Sequence, residues 1–144
     1  MFDDNYYMKQ ALKEALRAFD EDEVPIGALV VCRDQIIARA HNMVERLNDV
    51  TAHAEMQAIT AAAEALGGKY LNECTLYVTV EPCPMCAGAI GWSQLGRLVY
   101  GAPDSKRGYT LIAPHALHPK TQVCGGVLES EATKLMKDFF ARKR

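Results

Sequence analysis

The residues equipped for chemistry fall in two short stretches, Thr51-Ala52-His53-Ala54-Glu55 and Glu81-Pro82-Cys83-Pro84-Met85-Cys86. One imidazole and two thiolates suit Zn²⁺ by donor type, and a Cys-x-x-Cys step lets both sulfurs reach one ion. With His53, Cys83 and Cys86 as ligands, a fourth coordination position is left for water, the pattern of a catalytic rather than a structural zinc. The two thiolates cancel the charge of the ion. Zinc lowers the pKa of a water it holds from about 15.7 towards about 7, which supplies a nucleophile at neutral pH. Glu55 follows His53 closely enough to take that water's proton without joining the metal. A proton shuttle of this kind contributes about 10²–10⁴-fold in rate.

Simpler readings of the same residues fail on the company they keep. A redox dithiol would use Cys83 and Cys86 but give no role to His53 or Glu55. A structural zinc needs a fourth ligand, and Cys32, Cys74, Cys124, His115 and His118 stand at no helpful spacing. Cys32, Cys74 and Cys124 read as small core residues. His41 reads as a strand end, and His115 and His118 as surface or outer-layer groups.

Positioning these groups requires strands that stop where helices start. Met8, Ala11, Leu12, Ala15, Leu16 and Phe19 recur at helical spacing, so residues 6–19 are expected to form an amphipathic helix, with Asp3 or Asp4 as its cap. The acidic run Asp20–Glu23 reads as a solvated turn. Ala28–Cys32 is a buried strand, joined through Arg33-Asp34 to a second strand, Gln35–His41. Residues 42–49 read as a loop. Thr51 is the expected cap of a helix over 52–66 that turns Met56, Ile59, Ala63 and Leu66 inward and ends at Gly67-Gly68. Strands are expected at 75–80, 98–101 and 123–128. Helices are expected at 83–93 and 130–142, the last with Ala132, Leu135, Met136, Phe139 and Phe140 inward. Alternating strands and helices imply a layered α/β domain, antiparallel at first and parallel later, filling residues 1–144 as one unit. Residues 103–122 are the least informative.

Composition narrows the function classes. With 49% hydrophobic and 24% charged residues the chain can pack an ordinary core, and a net charge of −2 argues against a general polyanion binder. An acidic start leading into a helix is no signal peptide, and no apolar run is long enough to span a membrane. Five cysteines fit no closed disulfide framework, so a cytoplasmic setting is expected.

The pattern resembles the zinc-dependent nucleobase deaminases, which carry an H-x-E…P-C-x-x-C signature and act on bases taken out of the stack. From Met8 to Arg144 the chain looks like the bacterial tRNA-specific adenosine deaminases, which convert a wobble adenosine to inosine. The matching stretches are Glu23–Ala28, the Asn42 loop, Thr51–Met56, Leu76–Ala89, Tyr100-Gly101-Ala102, Asp104 and Phe139-Phe140. The resemblance implies a cytidine-deaminase-like three-layer α/β/α sandwich with a mixed central sheet of about five strands. It also implies one Zn²⁺ per chain and a homodimer formed through the helix after Cys83, where Gly88, Ala89, Gly91 and Trp92 would lie. By the same resemblance Asn42 would hydrogen-bond the extruded nucleotide, Val24 and Pro25 would wall its pocket, Ala54 would meet the base through its backbone, and Asp104 would meet the ribose. The anticodon loop of a tRNA needs positive charge, which Lys106, Arg107, Lys120, Arg142, Lys143 and Arg144 supply. The chain departs from the family at Val50, where an Asp-Pro step is common, and at Pro103, where arginine usually precedes the aspartate. The stretch after Lys106-Arg107-Gly108 is also shorter. A guanine or cytosine deaminase on the same scaffold is the alternative. A non-catalytic zinc module is disfavoured by Glu55.

Overall fold

The computed structural model describes residues 2–143, and Arg144 lies outside them. A five-stranded sheet, in the order β2-β1-β3-β4-β5, divides the molecule. β1 (Gly27–Cys32) runs antiparallel to β2 (Gln35–His41) and to β3 (Cys74–Val80). β4 (Arg97–Ala102) and the short edge strand β5 (Gln122–Cys124) continue parallel to β3. Arg33 and Asp34 close the first hairpin with φ of 52° and 64°, the left-handed pair that matches strand twist in a two-residue turn.

Helices cover both faces. α1 (Asp4–Asp20) and α6 (Glu129–Arg142) lie on one side, where Met8 and Ala11 pack with Leu29, Tyr77 and Val99, and Ala132 with Val80 and Ala102. α3 (Ala54–Leu66) and α4 (Pro84–Trp92) lie on the other, over Ala28, Val30, Leu76, Val78 and Leu98. The expected three-layer α/β/α sandwich with a mixed sheet is what the chain forms. Gly27 lets α1 lie directly against β1, since a Cβ there would collide with the Ala11 carbonyl and the Ala15 amide.

Several local expectations are corrected. α3 begins at Ala54 with His53 as N-cap, because Thr51 turns its hydroxyl and its amide to Asp49 Oδ1 (2.7 and 2.8 Å) instead of capping. Its buried face is Ala54, Glu55, Ala58 and Ala62, while Leu66 is exposed and Met56, Ile59 and Ala63 are only half-buried. Small side chains bring this helix close to the sheet, so the larger apolar residues flank the buried stripe, with Ile59 packed against the core from its side. Residues 42–49 contain a short helix, α2 (Val44–Leu47), and residues 109–112 another, α5 (Tyr109–Ile112). Glu23 is buried rather than solvated; its carboxylate accepts the amides of Glu45 (3.0 Å) and Arg46 (2.8 Å) and so caps α2 from a distance. β5 ends at Cys124, not Leu128, because the chain turns at Gly125-Gly126 with φ +86° at Gly126. Leu16 and Phe140 lie exposed. Asp3 is the cap of α1, accepting the Tyr6 amide at 2.9 Å.

Candidate active site

Both metal-binding candidates stand at helix starts. His53 caps α3 and Cys83 caps α4, yet neither side chain makes a capping hydrogen bond, so each is turned to another task. Pro82 leads out of β3, and Pro84 at the first position of α4 fixes the helix entry without wasting an amide. Cys86 then falls one turn on, fully buried.

The three donor atoms converge. His53 Nδ1 lies 3.7 Å from Cys83 Sγ and 3.5 Å from Cys86 Sγ, and all three lie within 4.8 Å of one another. Tetrahedral zinc with ordinary Zn–N and Zn–S bonds separates such atoms by about 3.6 Å, so the residues fit the ion. Beside them Glu55 is buried, and its Oε1 is the one buried side-chain polar atom among the described residues with no hydrogen-bond partner. An unsatisfied buried carboxylate oxygen costs about 1–3 kcal/mol unless a ligand meets it. Glu55 is aimed at a guest.

The electrostatics match a proton-handling centre. Burial pushes the Glu55 carboxyl up to about 7. The hydrogen bond from the Cys86 thiol, aided by His53 and the Cys86 backbone amide, draws the Cys83 thiol down to about 4. Donating to Cys83, and then burial, push the Cys86 thiol up. Its hydrogen bond to Cys83 raises His53. A divalent cation among these donors holds both sulfurs as thiolates.

The structure groups the other predicted residues unevenly. Asn42 is buried, and its Oδ1 accepts the Ala54 amide at 2.8 Å, so side chain and backbone meet each other at the first turn of α3. Pro25 is buried and Val24 half-buried. Val24, Asp104, Lys106, Arg107 and Lys143 line one cleft of about 1060 Å³ with the apolar floor Ile26, Val80, Ala102, Met136 and Phe140. Asp104 Oδ1 accepts the amides of Lys106 and Arg107 at 3.0 Å each, which makes it a turn former as well. Arg142 and Lys143 are tied to Asp22, and Arg142 also donates to the Phe19 carbonyl (2.9 Å). Lys120 is exposed and does not line the cleft. Sequence reasoning missed Glu23 and Glu81, two buried carboxylates that hold loops beside the site. The signal available for Glu81 was a lone charge closing an apolar strand.

Comparison with known proteins agrees with this geometry. Residues 1–102 match the family described as the cytidine and deoxycytidylate deaminase zinc-binding region. The chain belongs to that family of deaminases. Within it, the tRNA-specific adenosine deaminase of Bacillus subtilis is 45% identical over 149 residues, covering 100% of this chain and 92% of its own. The protein of the same name from Agrobacterium fabrum is 44% identical, covering 100% and 98%. A solved structure from studies of A-to-I editing by tRNA:A34 deaminases matches with a TM-score of 0.84 at 45% identity, covering 90% of this chain and 98% of that one. The guanine deaminase of Nitrosomonas europaea also matches with a TM-score of 0.84, but at 26% identity, covering 98% and 86%.

Proposed function

We propose that this chain hydrolyses adenosine to inosine at the wobble position of a tRNA anticodon, releasing ammonia. The observation that carries the reading is the buried Glu55 carboxylate beside the three convergent donors, in a chain matched end to end by tRNA deaminases. His53, Cys83 and Cys86 would hold one zinc per chain, which would supply an acidified water as the nucleophile. Glu55 takes the proton of that water as it adds to C6 of the base. The same carboxyl passes that proton to the ring N1, then takes the second proton from the new hydroxyl and passes it to the amine as ammonia leaves. Ala54 and Asn42 fix the first turn of α3 and so the direction of Glu55. The side-chain amide of Asn42 faces the nucleotide, with Val24 and Pro25 walling the pocket and Ala54 lending backbone contact. Asp104 meets the ribose, and Lys106 and Arg107 meet backbone phosphates. An anticodon loop offers a base already unpaired, which spares a few kcal/mol of extrusion.

The whole chain acts as one deaminase unit in the cytoplasm, where its substrate resides; no helix among the described residues is long and apolar enough to cross a membrane. It works as a homodimer joined through α4, whose Trp92 is 86% exposed; α5, which contacts α4, also exposes Leu111 and Ile112. A substrate contest tests the reading. Zinc-loaded protein is given a transcribed arginine tRNA with wobble adenosine and, separately, guanine, cytosine, cytidine and adenosine. Inosine in the tRNA with no ammonia from the small molecules is expected. Ammonia from a free base, with the tRNA untouched, would place the chain with the small-molecule deaminases.

A further inference from the structure

Glu81 carries a carboxylate that the chemistry above does not use. It is 5% exposed and has no cationic partner among the described residues, yet both oxygens are engaged. Oε1 accepts the amide of Asp104 at 3.1 Å. Oε2 accepts the amide of Thr110 at 3.0 Å and its hydroxyl at 2.7 Å. One side chain therefore grips both ends of the segment 104–110. The grip is reinforced at two points. The Tyr109 amide donates to the Pro82 carbonyl at 2.9 Å, and the Gly108 amide donates to the Asp104 carbonyl at 3.0 Å. Gly108 lies so close that a Cβ there would collide with the Glu81 carboxylate.

Burying a charge is costly unless hydrogen bonds satisfy it, and an apolar residue would fill a merely structural position more cheaply. What this charge obtains is a fixed loop. That loop holds Asp104, Lys106 and Arg107, and Glu81 itself sits on the chain between β3 and Cys83. The position of the basic turn is thereby tied to the segment that presents the metal ligands. We propose that Glu81 is a positioning residue: it holds the 104–110 loop in the conformation that receives the substrate backbone, and so sets affinity rather than the rate of the chemical step. The proposal rests on the tRNA reading above. Without the grip, substrate must order the loop as it binds, and that cost falls on KM.

The test uses the full-length, zinc-loaded protein and the wobble-adenosine tRNA. Glu81→Gln keeps the shape but turns an amide NH₂ towards one of the backbone N–H groups, so one end of the loop loses its acceptor. KM is expected to rise about tenfold with kcat within about twofold, and the fall of kcat/KM with salt is expected to be shallower, as when phosphate contacts are lost. A Lys106→Ala/Arg107→Ala double variant gives the reference slope, and Thr110→Val, which removes one of three bonds, is expected to lie between. Zinc content stays near one equivalent throughout. Unchanged KM and salt slope in Glu81→Gln, beside a wild type that edits the tRNA, would overturn the proposal alone, and so would a fall in kcat at unchanged KM. A wild type that leaves the tRNA untouched would overturn the substrate reading first, and the affinity role with it.

Discussion

Replacing Glu55 by glutamine keeps a buried side chain of the same shape and removes the base. Because Glu55 is not among the converging donors, zinc is expected to stay near one equivalent while kcat falls by about 10²–10⁴-fold. Metal analysis beside a single-turnover inosine assay checks both halves, and turnover above about a tenth of wild type would remove Glu55 as the shuttle. Cys86→Ala is the converse. It takes away one of three donors from a site where the two remaining cannot hold the ion firmly, so zinc and turnover are expected to vanish together. The convergence of His53, Cys83 and Cys86 was legible from types and spacing because donors that can share one ion carry a recognisable chemistry. Glu23 and Glu81 were not, since what they do depends on backbone amides that only the folded chain brings near.

The elements obey the same division. β1, the first hairpin and α1 follow from apolar runs and turn residues, but the buried face of α3 does not, because alanines at close approach outweigh larger side chains that stay near the surface. α1 is fastened at its start by Asp4, which accepts from both terminal guanidinium nitrogens of Arg97 (2.8 and 2.7 Å) and from the Tyr77 hydroxyl (2.6 Å). The Arg97 hydrogen bonds hold the Asp4 carboxyl below its usual value, with Tyr77 adding to the effect. Asp4→Asn is expected to cost about 1 kcal/mol at pH 7, a modest figure because the pair is partly exposed to water. The sign follows from the lowered folded-state pKa: the contribution is complete above the unfolded value of 3.8 and is lost as pH falls through the folded one. Urea melts of both proteins are expected to differ by a constant amount from pH 7 to about 5, and to converge only as pH falls below 3.8 and through the lower folded-state value.

At the scale of the whole molecule, Trp92 is the sole tryptophan and stands almost wholly exposed on α4. If two copies meet there, the protein sediments at about twice 15.9 kDa and its emission shifts to the red on dilution. Trp92→Glu is expected to sediment as a single chain at the same concentration; an unshifted sedimentation coefficient would move the contact elsewhere. β3 and β4 run parallel and end at the same edge of the sheet. One strand end delivers Cys83 and Cys86 at the start of α4, and the other delivers the turn from Pro103 onwards. On the function proposed above, reactivity and recognition hang from separate strand ends, which makes the turn exchangeable. A segment of different length or charge can be grafted between Ala102 and Gly108 while the catalytic centre is left alone, provided the graft offers Glu81 an amide where Asp104 does now, Thr110 keeping its own. A scaffold so divided lends itself to being retargeted to new substrates by loop replacement.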